Sequence, residues 1–148
     1  MPRPTIYEAV GGMPALRSLA ASWHDRAIEA PLVSRAFSHG YRDDHEERLA
    51  AYLAEALGGP PAYSARYGDQ ASVLRQHAGK YDYELVAAEA IAIFADAVQT
   101  CGLPNNPQLR QTLKDFWAWA MHTIMAPATD PSAPLEIPRW SWDGPVED

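Results

Sequence analysis

Five histidines, His24, His39, His45, His77 and His122, are the residues of this chain with the widest chemical repertoire. Neutral imidazole ligates metals, and its two nitrogens donate and accept protons near neutral pH. His77 follows Val73 by four residues and Leu74 by three. On a helix that spacing puts all three on one face, so the imidazole projects from an apolar surface. Such a surface suits a flat, metal-bearing ring, provided the second ring nitrogen finds an orienting partner. By spacing alone, a core or surface histidine with no ligand role is the commoner outcome.

His45 precedes Leu49 by four and Tyr52 by seven, at the entry end of an apolar helical face. Its bland alternative is a first-turn histidine solvated beside Asp43, Asp44, Glu46 and Glu47. His24 follows Trp23 and, with Ala20, Ala27 and Ile28, lies near the edge of a buried stripe, where it needs a polar partner or a metal; a helix-boundary histidine is the alternative. His39 falls in a loop and His122 on the last helix, and neither is assigned to a site.

Other chemistries leave no signature. The run Asp43-Asp44-His45-Glu46-Glu47 lacks the second histidine of a zinc-protease motif. There is no phosphate-binding glycine loop, no GxSxG and no Glu-x-x-His pair of the di-iron kind. Cys101 is the single cysteine, which excludes an internal disulfide and fits a reducing compartment. Net charge is −7 with no basic stripe, which argues against nucleic acid. No apolar run approaches a membrane span, and the N-terminus lacks a signal-peptide pattern. A cytoplasmic protein is expected.

The elements that must position these residues are helical. With 148 residues the chain has room for one core. Thr5 and Glu8 form a capping box for a short helix ended by Gly11-Gly12. Leu16, Leu19, Ala20, Trp23 and Ala27 mark the next. Asp44 and Glu47 open another, with His45, Leu49, Tyr52, Leu53, Ala56 and Leu57 on one face and Gly58-Gly59-Pro60-Pro61 as its stop. Asp69 starts a short helix bearing Val73, Leu74 and His77. Leu85, Ala88, Ile91, Ala95 and Val98 mark a longer one. Asn106 and Pro107 then introduce Leu109, Leu113, Phe116, Trp117, Ala120 and Ile124. No segment shows strand alternation, so the class is all-α. Residues 1–126 form the domain. Residues 127–148, rich in proline and carrying Trp140 and Trp142, form an irregular tail that packs on the domain or on a partner.

The order of these elements resembles the truncated haemoglobins, in particular their group II. Ile6-Tyr7-Glu8-Ala9-Val10-Gly11-Gly12 looks like the N-terminal signature. Leu53 to Leu57 followed by Gly58-Gly59-Pro60-Pro61-Ala62-Tyr63-Ser64 is similar to the end of the E helix and the loop beyond it. Val73-Leu74-Arg75-Gln76-His77 corresponds to the segment bearing the proximal histidine. The resemblance covers about residues 5–126.

It implies a 2-over-2 helical sandwich holding haem b, with His77 as proximal iron ligand. Phe37 and Leu49 match residues that pack on the haem, and Tyr52, Leu53, Val73, Leu74 and Ile91 complete the apolar cradle. Arg75 is placed for a haem propionate, with Tyr63 and Tyr67 as weaker candidates. Three positions depart from group II: His24 stands for the usual tyrosine, His45 for a small residue, and Ile91 for a tryptophan. Either His24 or His45 then donates to a diatomic ligand or closes the sixth iron position. The tail lies outside the minimal family fold. The implied partners are O2, CO, NO or peroxide and a reductase, and the implied activity is ligand binding or peroxidase-like, dioxygenase or nitric oxide-detoxifying chemistry. The chain is expected to be a monomer or homodimer. Two rival readings are a non-haem metal enzyme in which His24, His45, His77 and His122 converge, and a haem-free globin fold acting as a sensor or interaction module.

Overall fold

The structure, a computed structural model, describes residues 4–34, 45–67, 83–125 and 139–146. Within them lie six helices: α1 (Ile6–Val10), α2 (Gly12–Ala27), α3 (His45–Ala56), α4 (Ala62–Arg66), α5 (Tyr83–Thr100) and α6 (Pro107–Met125). The most extensive packing is between α2 and α3 and between α5 and α6, and α2 also crosses α5. Two helix pairs stacked on each other make the 2-over-2 sandwich expected from the sequence.

Local signals set the boundaries. The Thr5 hydroxyl accepts from the Glu8 amide at 3.1 Å, while the Glu8 carboxylate accepts from the Thr5 amide at 3.2 Å. Such a capping box satisfies two amides that a helix start leaves open, and its loss costs about 1 kcal/mol. Gly11, with φ +112°, ends α1 in a left-handed conformation. Asn106 Oδ1 accepts from the amides of Gln108 and Leu109 and so caps α6 as its sequence suggested. The cap expected at Asp44 lies outside the described residues.

The N-terminal signature and the Gly58-Gly59 stop meet in space. The Tyr7 amide donates to the Leu57 carbonyl at 2.9 Å. A Cβ on Gly59 would stand 2.6 Å from the Tyr7 ring and 2.8 Å from the Ala54 carbonyl. The ring therefore lies flat against bare backbone, which fixes where α3 leaves the core.

The core stripes of α2 and α6 are as read from their periodicity: Leu16, Leu19, Ala20, Trp23 and Ala27 are buried, as are Leu109, Leu113, Phe116, Trp117 and Ala120. Helix α5 differs. Its packed face is Val86, Ala87, Ala90, Phe94, Ala97 and Val98. Of the residues read as its stripe only Val98 is buried; Ile91 and Ala95 are half-buried, while Leu85 and Ala88 are exposed. The helix is apolar nearly all round, so its periodicity could not choose a face. At its centre the Phe94 and Trp117 rings stack 4.3 Å apart with planes at 2°. The indoles of Trp23 and Trp117 both donate to the Ala90 carbonyl.

The tail is less irregular than expected. Trp140–Ser141 and Gly144–Pro145 pair as a two-residue antiparallel hairpin. Trp140 packs edge-on to Phe116 at 5.8 Å and lies 5.3 Å from Trp119, and the Trp142 indole donates to the Pro4 carbonyl at 2.8 Å. Strands this short carry no period for a sequence reading to detect. The all-α class is unaffected.

Candidate functional site

The best-defined chemistry lies where α2 packs on α3. His24, eight residues beyond the Leu16 that opens the α2 stripe, is only 4% exposed. The sequence put it near the edge of the stripe; the structure seals it inside. Its Nδ1 lies 3.3 Å from Oε1 of Glu46, one residue into α3, whose side chain is 44% exposed. The pair therefore runs from the buried interior to the protein surface. Asp25 joins it: His24, Asp25 and Glu46 each offer a ligand atom, all within 4.8 Å of one another, a grouping with the donor types a divalent cation takes. Glu46 was read as part of a solvated acidic run; only the packing of α3 on α2 reveals its partner.

Other expected residues stand on α3 and α5. Leu49, one turn beyond His45 on α3, is half-buried against the core, and Tyr52 and Leu53 behind it are buried. Ile91 is half-buried on α5. Around it, Leu85 at 55% exposure, the exposed Ala88 and Ala92 and the half-buried Ala95 make an apolar shoulder beside the packed face.

Tyr63 is buried with its ring edge-on to Tyr52 at 5.6 Å, which ties it to the core. Tyr67 is half-buried, 5.6 Å from Tyr63, with the Arg48 and Arg66 guanidinium groups 4.6 and 5.6 Å from its ring centre. The arginines were not anticipated; a sequence alone does not show which basic residues gather around one ring. Phe37, Val73, Leu74, Arg75, His77 and His39 lie outside the described residues, and so does the side chain of His45. His122 is exposed on α6 while His24 is buried between α2 and α3, and the metal-competent grouping among the described residues contains one histidine.

Two further carboxylates fasten segments that follow helices. Glu89 of α5 accepts from the amides of Leu32 and Val33 at 2.8 and 2.9 Å, fastening the chain beyond α2. Glu55 of α3, 6% exposed, accepts from the Ser64 amide and hydroxyl, both at 2.8 Å, fastening α4. Hydrogen bonds to a charged acceptor are each worth about 1.5–3 kcal/mol.

Two stacked helix pairs are the architecture of a truncated globin. The sequence profile of the bacterial-like globin family matches residues 5–124, and the chain belongs to that family. Among solved structures, a thermostable hemoglobin from Thermobifida fusca superposes with a TM-score of 0.70 at 26% identity, over 82% of this chain and 97% of that one. The group II truncated hemoglobin of Bacillus anthracis gives 0.69 at 17% identity, over 90% of this chain and 100% of that one, a likeness of fold. A group 1 truncated hemoglobin of Nostoc commune is 29% identical over 75 residues; the match takes in 51% of this chain and 59% of that relative, less than two thirds of its length. By family, the chain is a haem-binding globin. No helix among the described residues is long and apolar enough to cross a membrane.

Proposed function

We propose that this globin holds haem b through His77 on one side and presents His24 and His45 on the other, to bind a diatomic gas or peroxide. The observation that carries the reading is the His24 imidazole, sealed at the contact of α2 and α3 with a carboxylate at its Nδ1. Burying an imidazole costs free energy unless its nitrogens are used. In the globins that this chain resembles, the position of His24 carries a ligand-facing group.

The residues present fit the cofactor. Leu49, Ile91 and the shoulder formed by Leu85, Ala88 and Ala92 offer apolar surface to a flat ring. The family resemblance adds Phe37, Tyr52, Leu53, Val73 and Leu74 to the cradle. The cationic pair Arg48 and Arg66 at Tyr67 suits the propionates, a role that the family resemblance also gives Arg75. The haem supplies an iron that binds O2, CO, NO or peroxide. His77 fixes that iron in place. His24 or His45 would donate a hydrogen bond to a bound ligand or would itself ligate the iron. The apolar walls exclude water from the reacting face. Peroxidase-like, dioxygenase or nitric oxide-detoxifying turnover, with electrons from a separate reductase in the cytoplasm, is the activity this arrangement serves.

The test is the absorption spectrum of the haem-reconstituted protein. The wild type is expected to give a Soret band with one equivalent of haem, and His77→Ala a shifted, weakened one. No Soret band in the wild type, or an unchanged one in His77→Ala, overturns the reading.

A further inference from the structure

We propose that Tyr52, Tyr63 and Tyr67 form a redox path along which electrons pass from a small anionic donor at the surface to peroxide at the haem. The path rests on the haem reading above, which supplies the place where peroxide is reduced.

The three rings form a continuous series. Tyr52 on α3 and Tyr63 on α4 meet edge-to-face with centroids 5.6 Å apart, and Tyr67 follows Tyr63 at another 5.6 Å. The first two are buried and the last is half-buried, so the series runs from the core to the surface. Bonds outside the rings hold this spacing. The Tyr67 amide donates to the Tyr63 carbonyl at 2.8 Å, which sets these two one helical turn apart. Glu55, one turn beyond Tyr52 on α3, accepts from the amide and hydroxyl of Ser64, the neighbour of Tyr63, and so clamps α4 onto α3. Phenylalanine would fill the same core volume without a hydroxyl to desolvate. A phenol adds what a phenyl lacks, a group that gives up one electron readily, and rings in contact pass that electron over a short gap. By the family resemblance, Tyr52 stands in the haem cradle. At the other end, the Arg48 and Arg66 guanidinium groups lie 4.6 and 5.6 Å from the Tyr67 ring centre. In a chain of net charge −7 they make a local positive spot that draws an anionic donor to this ring.

Hydrogen peroxide is the oxidant. Its O–O bond breaks, and it leaves as two waters after gaining two electrons and two protons. Two successive oxidations of Tyr67 supply them. In each, the phenolic O–H bond breaks, one electron passes inward through Tyr63 and Tyr52, and one proton goes to solvent, which returns a proton at the peroxide. The inner rings are oxidised and restored in passing. Each Tyr67 radical becomes the phenol again by taking an electron and a proton from the donor. One peroxide thus oxidises two donor molecules by one electron each, and neither donor has to enter the apolar cradle.

Freeze-quench electron paramagnetic resonance of the haem-loaded protein mixed with hydrogen peroxide tests this, together with a nitroso spin trap whose adduct is located by peptide mass spectrometry. Yields are taken per haem, from the Soret band of each sample. The wild type is expected to give a tyrosyl radical and an adduct on Tyr67. Tyr63→Phe keeps the ring and removes the phenol. It is expected to lose the Tyr67 adduct although Tyr67 is intact, and Tyr52→Phe is expected to do the same. Ascorbate, an anionic donor, is expected to quench the radical several-fold faster in the wild type than in Arg66→Ala. With a normal Soret band, absence of a tyrosyl radical, or an undiminished Tyr67 adduct in Tyr63→Phe or Tyr52→Phe, overturns the path and leaves the haem reading standing. Equal quenching in wild type and Arg66→Ala overturns the choice of an anionic donor. A wild type with no Soret band overturns the haem reading and the path together.

Discussion

The indoles of Trp23 and Trp117 share one acceptor, the carbonyl of Ala90, each donating at 3.2 Å. That single backbone oxygen joins α2, α5 and α6, and it immediately precedes Ile91, the α5 residue proposed to line the haem. Replacing either indole by phenylalanine removes one hydrogen bond but leaves the carbonyl with the other indole. Each single change should cost about 1–2 kcal/mol. The double variant should cost more than the sum by about 0.5–1 kcal/mol, because it strips the carbonyl of both indoles. Urea denaturation of the four proteins measures the cycle, and strict additivity would sink the shared-acceptor account.

Gly59→Ala should destabilise the fold by about 1–3 kcal/mol, the range for forcing extra atoms into a packed site. The added methyl meets the Tyr7 ring at 2.6 Å, and it meets the Ala54 carbonyl, which cannot rotate away, at 2.8 Å. Shrinking the ring in Tyr7→Ala should recover little of the loss, since the backbone contact remains. Thermal melts of the two variants and their combination check this; full recovery in the double variant would show that the ring alone sets the limit.

These relationships mark how far the sequence could be read. The Thr5–Glu8 box and the Asn106 cap were legible because both partners lie within one helical turn. The stripes of α2 and α6 were legible because polar residues interrupt them. Helix α5 offers no such contrast, so its existence was readable and its orientation was not: Leu85 and Ala88 were assigned to a face that Val86, Ala87 and Ala90 occupy. His24 was singled out, yet Glu46 was passed over as a surface charge. Twenty-two positions separate them, and only tertiary packing brings them together.

In the haem-loaded ferrous protein, His24→Ala should speed the observed binding of CO by about tenfold, the factor associated with about 1.4 kcal/mol of internal ligation. A side chain that must leave before a gas enters taxes the apparent affinity by the fraction of open molecules. Flash photolysis measures it, with His45→Ala as the comparison. An increase confined to His45→Ala would move the internal ligand to α3.

Cys101 ties stability to alkaline pH. Burial pushes its thiol above the ordinary 9.0, against smaller lowering effects from hydrogen bonds to the backbone of Leu103 and Cys101 itself and from Arg110 and Arg26. The folded value thus exceeds the unfolded one. The stability tied to the neutral thiol is complete below the unfolded pKa and is lost as pH rises through the folded one. Melting temperature should fall between about pH 8 and pH 10.5 by more in the wild type than in Cys101→Ala. Alkylation of the folded protein should likewise lag behind that of the urea-unfolded chain at the same pH. Parallel pH profiles for the two proteins would contradict the assignment.

The hairpin at residues 140–145 gives the molecule a second chromophore group. Of the five tryptophans, Trp23 and Trp117 sit at the centre, their rings 5.1 Å apart. Trp119 and Trp140 form a separate pair on the outer side of α6, with Trp142 reaching Pro4. Lifting the hairpin would wet the outer pair and leave the inner pair dry. The protein's own emission spectrum therefore carries two independent colours, a blue one that follows the core and a red-shifting one that follows the docking of the hairpin.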